Sequence, residues 1–208
     1  MKNLTMPLSN EAILDLKVGD PVRLSGVMIT ARDAAHKWLH ETFITQTRAR
    51  QGDDEAVYAA IKPLLNGGGI YHCGPVVAGL DTQAYRFVAA GPTTSTREEP
   101  YQADVMRHFN VRVVIGKGGM GPKTLQGCAE TPGVYLHAIG GAASLIAQTV
   151  VKVQGVYKLQ FGVPEALWVI DVKDFPAVVT MDAHGDSLHA VIDRQSKIQL
   201  ERLLAVPL

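Results

Sequence analysis

Apolar and polar positions along the chain keep two rhythms, one helical and one extended. Ser9 opens SNEAILDL, whose spacing predicts a short helix capped by that hydroxyl and closed at Val18-Gly19-Asp20. PVRLSGVMIT, residues 21–30, reads as a strand, and a helix is expected from about Arg32 to Thr42. Residues 44–69 form the polar stretch of the chain: a helix DDEAVYAAI, a stop at Pro63 and a turn at Asn66-Gly67-Gly68-Gly69. From residue 70 onward, short apolar runs each end in glycine: IYHCG, YRFVAAG, VRVVIG and VYLHAIG. Helical patterns follow three of them, EEPYQADVMRHF, PKTLQGCAE and GAASLIAQTVV. Two more strands, ALWVIDV and AVVTMDA, and a closing helix over about 188–204 complete the chain. Strands alternating with helices predict an α/β core in which some parallel strands are buried on both faces. With no internal repeat, low-complexity tract or linker in view, residues 1–208 are expected to fold as a single domain with a core over about 17–190.

Composition narrows the possible partners. Twenty Lys+Arg against 20 Asp+Glu give zero net charge, which argues against nucleic acid or an anionic membrane as the main partner, since both demand a basic surplus. At 47% hydrophobic and 19% charged residues, the chain is no disordered segment. So little charge also hints that another chain covers part of the surface. No apolar run reaches about 18 residues, so no membrane span is expected. The segment MKNLTMPLSNEAILDL breaks at Pro7 before any apolar core, so no secretory leader is expected. Cys73 and Cys128 are too few for a disulfide framework and fit a reduced cytoplasm. They are also too few for a structural zinc or an iron–sulfur cluster, so no metal site is expected within this chain.

Three strand-to-helix loops carry the candidate chemistry. GKGGMG, residues 116–121, satisfies G-x-G-x-x-G, yet residues 131–164 contain no acidic residue to meet a ribose. A phosphate loop also fails, because Pro122 separates Gly121 from Lys123-Thr124. What remains is a helix start with exposed N–H groups beside Lys117: either an anion site or a tight turn with a solvated lysine. GPTTSTREE, residues 91–99, places Thr93, Thr94, Ser95 and Thr96 in a row before Arg97. These hydroxyls are either helix caps paired with Glu98 or Glu99, or a site for carboxylate or phosphate built with a forked guanidinium. In ARDAAH, residues 31–36, Asp33 suits a helix N-terminus, whereas Arg32 is unfavourable there unless an anion is bound. His36 lies one turn on and can share a face with Arg32. Because loops at the carboxyl ends of strands converge in α/β folds, Arg32, Arg97 and Lys117 with the hydroxyls between them suit a small dianion.

SGVMITARDAAHK, IYHCGP, AAGPTTSTRE, VVIGKGGMG, AIGGAASLIAQ and GVPEALWVIDVKDFPAVVTMDAHG resemble, in that order, the β-subunit or C-terminal-domain half of class I fumarases and L-tartrate dehydratases. The resemblance runs from about residue 17 to 190 and leaves out the polar stretch 44–69. It implies a swivelling β/β/α fold and an active site shared with an α-subunit that holds a [4Fe–4S] cluster on three cysteines, in an α2β2 assembly. The activity it implies is that of a hydro-lyase adding water reversibly to fumarate, or dehydrating L-tartrate, with the iron acting as Lewis acid on the substrate hydroxyl. Residue by residue, Thr93 maps to the proposed base. Arg97 and Lys117 map to groups of the catalytic site that bind substrate carboxylates, joined in substrate binding by Arg32 and Thr94. The alternative outside enzymes is a self-contained anion- or nucleotide-binding module built on the same loops. Two departures stand out: KGGMG replaces the KGN of the fused fumarases, and the stretch 44–69 is longer than tartrate dehydratase β-subunits need. His36, Cys73 and Cys128 receive no role, the cysteines being read as packed thiols.

Overall fold

The computed structural model describes residues 1–205. Nine strands, β1 (Lys2–Thr5), β2 (Pro21–Thr30), β3 (Gly69–Tyr71), β4 (Val76–Ala78), β5 (Arg86–Ala89), β6 (Val113–Gly116), β7 (Val134–His137), β8 (Val150–Tyr157) and β9 (Leu167–Met181), are threaded between seven α-helices. These are α1 (Asn10–Leu14), α2 (Asp33–Leu39), α3 (Asp54–Leu65), α4 (Gln102–Phe109), α5 (Pro122–Glu130), α6 (Ala143–Ala147) and α7 (Leu188–Leu204). β2, β3, β6 and β7 pair in parallel in that order. Antiparallel β9 then pairs with both β7 and β2, so these five strands close on themselves. Closure removes the unpaired edges that an open sheet would present. β1 and β8 extend the sheet beyond the ring, and β4–β5 form a separate hairpin.

Two hydrophobic cores follow from the alternation of side chains along these strands. Val113 and Ile115 of β6, and Trp168, Ile170 and Val172 of β9, point into one core. Val114, Leu167 and Val169 point the other way, where Trp38 of α2, Ile61 of α3, Val105 of α4 and Cys128 of α5 cover them. Burial on both faces explains why the parallel strands read as continuous apolar runs. Gly26 marks a bulge in β2: its φ is +106°, and a Cβ there would come within 2.8 Å of the Met6 carbonyl oxygen.

Several boundaries differ from the pattern-based expectation. The helix from Arg32 ends at Leu39 and continues as a π turn over His40–Ile44. Pro63 does not stop α3, which runs through it to Leu65, where Val57, Ile61 and Leu65 are buried. The polar stretch 44–69 is thereby a packed layer over β2, held by the Lys158 ammonium, which pairs with Asp53 and with Asp54 at 2.5 Å, and by Trp38 Nε1 donating to Asp54 at 3.0 Å. EEPYQADVMRHF splits at Pro100 into a 3-10 turn, Ser95–Glu98, and α4. Val150 and Val151 belong to β8 rather than to the preceding helix. The two expected terminal strands are one, β9, whose turn-like Lys173-Asp174 is absorbed as a local irregularity with Asp174 at φ +55°. Of the strands, β1, β4 and β8 were not expected. Each is short or half-exposed, and each takes its place through pairing with another segment.

Candidate active site at three converging loops

The three loops meet. Residue 94 bridges residue 117 in parallel fashion. The Lys117 N–H donates to the Thr93 carbonyl oxygen at 3.2 Å, and the Ser95 N–H donates to that of Lys117 at 3.0 Å. The Thr93 N–H donates to the His72 carbonyl oxygen at 2.7 Å, tying the hydroxyl loop to the end of β3. Thr93 is half-buried, Thr94 and Thr96 are exposed, and Ser95 is fully buried. Arg97 folds back one turn, its Nη2 donating to Thr93 Oγ1 at 3.4 Å. From the β2–α2 junction, Asp33 Oδ1 lies 3.7 Å from Arg97 Nη2 and 3.9 Å from Arg32 Nη2. Arg32 Nη1 also pairs with Glu165 at 3.1 Å, and the second oxygen of Glu165 accepts from the Ala34 N–H at 3.2 Å. Gly74 leaves room for the arginine, since a Cβ there would lie 2.8 Å from Arg32 Nη1. Thus Arg32, Thr93 and Arg97 gather around Asp33, and the backbone pairing of the two loops brings Thr94 and Lys117 alongside. Their formal charge of three cations is offset by Asp33 and Glu165, leaving one net positive charge.

Beneath that surface lies a buried polar network that the sequence reading missed. His36 and His72 are fully buried, with ring centroids 5.1 Å apart. Burial pushes both imidazoles below the ordinary histidine range, so both are neutral near pH 7. His36 commits its Nδ1–H to the Arg32 carbonyl oxygen at 3.0 Å rather than presenting its ring beside the Arg32 side chain. Both Nε2 atoms meet the amide of Gln102, at 2.9 and 2.8 Å. His72 Nδ1 contacts Ser95 Oγ at 2.8 Å, and the Tyr135 hydroxyl donates to the same oxygen at 2.9 Å. Gly116 is required at this point, because any Cβ would overlap Ser95 Oγ. A histidine inside the apolar run IYHCG and a serine within the hydroxyl cluster were the available signals. Glu98, also fully buried, completes the layer, and burial raises its carboxyl to about 7.

The GKGGMG helix start is a different matter. Glu99 reaches across from the hydroxyl loop and caps α5: its carboxylate accepts from the N–H groups of Gly121 (2.8 Å), Lys123 (2.9 Å) and Thr124 (3.3 Å), and from Thr124 Oγ1 (2.6 Å). The donors expected to be free for an external anion are therefore already filled. A cavity of about 730 Å³ adjoins this loop on the side of α7, lined by Met120, His137, Thr180, Leu188 and His189 among others. It excludes Arg32, Thr93 and Arg97, and its lining is mostly apolar, so those three residues lie outside it at the converging loops.

A family model described as "Fumarase C-terminus" matches residues 2–192. The chain belongs to the fumarase C-terminus family. Among relatives, it is 50% identical over 200 residues to a putative class I fumarate hydratase of Geobacillus stearothermophilus, an alignment covering 96% of this chain and 35% of that protein. It therefore spans about a third of that relative's length. It is 36% identical over 190 residues to the L(+)-tartrate dehydratase subunit beta of Escherichia coli, covering 91% of this chain and 87% of that subunit. A putative L(+)-tartrate dehydratase subunit beta of Methanocaldococcus jannaschii is 33% identical, with 96% of each chain covered. The closed mixed sheet with helices on its outer face is the α/β architecture of this family's domain, and the chain is a β-subunit-type member of the class I fumarase and tartrate dehydratase group. The family match encloses both the unexpected β1 and the stretch 44–69.

The residues of this chain do not fit an iron–sulfur cluster. Cys73 and Cys128 lie in different cores, and burial raises both thiols to about 12, away from the thiolate form that binds iron. Among the described residues, no three His, Cys, Asp or Glu side chains are grouped to hold a metal ion. No helix among them is long and apolar enough to cross a membrane.

Proposed function

We propose that this chain, acting as one domain, is the β-subunit of a two-subunit class I hydro-lyase that reversibly hydrates fumarate to malate, a step of the tricarboxylic acid cycle. The observation that carries this reading is the Arg97 guanidinium on the Thr93 hydroxyl at 3.4 Å, flanked by Arg32 and by Lys117 at the bridged loop. Dehydration of a hydroxydicarboxylate requires two events. A proton leaves the carbon next to one carboxylate, and hydroxide leaves the neighbouring carbon, so that malate becomes fumarate and water. In this reading Thr93 Oγ1 takes the proton in that direction and returns it in hydration. An isolated threonine hydroxyl is a poor base, and the adjacent Arg97 cation favours its deprotonated form. Arg32, Arg97 and Lys117 hold the two carboxylates, and the exposed Thr94 hydroxyl borders them. Charge-assisted contacts of about 1.5–3 kcal/mol each suffice to orient a dianion.

The departing hydroxide is assigned to a partner α-subunit carrying a [4Fe–4S] cluster, in an α2β2 assembly in the cytoplasm, with no part for nucleic acid or membrane. That division agrees with the 35% coverage of the fumarase relative and with the subunit naming of the tartrate dehydratases. The higher identity to the fumarase relative favours fumarate; the second reading is L-tartrate dehydration to oxaloacetate, favoured by the near-complete coverage of the tartrate dehydratase subunit. Against a self-contained anion- or nucleotide-binding module stands Glu99, which fills the α5 N-terminus where a phosphate would sit. The test is an anaerobic pull-down of the tagged chain from its native cells, with iron content and hydration of fumarate and dehydration of L-tartrate measured on the eluate. A co-purifying iron-bearing chain with activity supports the reading, and the preferred substrate chooses between the two. An iron-free, partnerless chain with neither activity sinks both.

A further inference from the structure

Glu98 follows Arg97 directly, is fully buried, and has no hydrogen-bond partner for either carboxylate oxygen among the described residues. Nor does Nε of Arg32, buried nearby, have one. A buried carboxylate left without donors is costly unless it is protonated. The charged and titratable groups that face it can be named element by element. From the start of α2 come Arg32 and Asp33, whose charges pull its proton affinity down and up respectively, and from its own turn comes Arg97, which pulls it down. From β7 comes the Tyr135 hydroxyl, which burial holds in the protonated state. His36 of α2 and His72 beyond β3 lie in the same buried layer and are neutral. The cluster above carries one net positive charge when Glu98 is protonated, and none when it is ionised.

We propose that Glu98 is a positioning residue acting through Arg32 and Arg97: its protonated form leaves the cluster the positive charge that a dicarboxylate needs, and binding of the dianion draws a fraction of a proton from solvent onto Glu98. This rests on the reading of the three loops as a dicarboxylate site and adds to it a linkage between substrate and proton binding. The direction follows from charge. A dianion repels ionised Glu98, so it binds the protonated form better and raises that group's proton affinity in return, as reciprocal linkage requires. Glu98 is at about 7 in the free chain, so the linkage falls within the neutral range.

The test uses the complex of this chain with its partner and succinate, a four-carbon dianion with no double bond to hydrate. Succinate affinity is measured calorimetrically from about pH 6 to pH 8.5, in two buffers of different ionisation heat. The wild type is expected to lose affinity about tenfold across that range, equivalent to one unit of linked shift, and to take up protons from the buffer on binding. Glu98→Gln is expected to hold the low-pH affinity throughout with no proton uptake. If the variant fails to fold, the buffer-dependent heat of the wild type still decides. Fumarate turnover with pH-independent succinate binding, or a variant that keeps the wild-type slope, overturns the role of Glu98 and leaves the dicarboxylate reading intact. Absence of both succinate binding and turnover at every pH overturns the dicarboxylate reading together with the proposal.

Discussion

Two strand-to-helix loops, 91–97 and 116–121, end up in opposite surroundings. Both leave a strand, both enter a helix, and both carry a cation. At 116–121 the helix N-terminus is satisfied internally by the Glu99 carboxylate, and Gly116 leaves room for Ser95. At 91–97 no carboxylate caps the turn; Arg97 turns onto Thr93 with Asp33 3.7 Å away, and the buried Ser95 anchors the loop to His72 and Tyr135. A helix start with glycines is thus a poor guide to an anion site unless one also knows which acidic side chain reaches it. The informative feature is an array of cations with too few carboxylates to neutralise them.

Substitutions can break or sharpen this contrast. The largest effect is expected at Thr93→Ala, which should leave assembly with the partner intact and lower anaerobic turnover by at least about 100-fold, the usual worth of a positioned proton-transfer group. An active Thr93→Ala enzyme would remove the base assignment. Arg97→Met or Lys117→Met should raise KM for the dicarboxylate by about 10–100-fold, reflecting about 1.5–3 kcal/mol of charge-assisted binding.

Next in size is a pH effect on stability at Glu98. Its folded carboxyl sits at about 7, above the ordinary 4.5. The folded state therefore binds more protons between those values, and the protonated group's contribution is present at low pH and lost as pH rises toward 7. Urea titrations should find the wild type less stable at pH 8 than at pH 5 by an amount of order 1–3 kcal/mol, and Glu98→Gln free of that loss. Equal slopes in the two proteins would show that Glu98 does not titrate as a buried acid.

Glu99→Ala should cost about 1 kcal/mol through the uncapped α5, seen as a fall of a few degrees in Tm. A gain in phosphate affinity in that variant would reveal a latent anion site beneath the cap and narrow the difference between the loops. Arg50→Ala, which breaks an exposed pair with Glu55, should change stability by no more than about 0.5 kcal/mol.

Much of the chemistry was legible in the chain itself. The runs around β2, β3, β6 and β7 follow from continuous apolar stretches, and Ser9 caps α1 by accepting from the Ala12 N–H at 3.2 Å. The hydroxyl cluster with Arg97, and the cation at the unfavourable start of α2, pointed to the candidate site because short-range electrostatics in the sequence gave no other reason for Arg32. Pro63 misled because packing of Val57, Ile61 and Leu65 outweighs the loss of one helical hydrogen bond. β8 and the fusion of two segments into β9 were hidden because strand pairing depends on a distant partner more than on its own residues.

By itself the sequence determined the α/β class, the family, the loops that carry cations and hydroxyls, and a count of only two cysteines, all of which depend on residue type and short-range spacing. Only the tertiary structure decided that Glu99 caps α5 from 22 residues away, that β9 closes the sheet between β7 and β2, and that His36, His72, Gln102 and Ser95 form one buried network. Those outcomes rest on which side chains share a volume once the chain has closed, and a carboxylate or imidazole takes its role from the donors and charges that burial places around it.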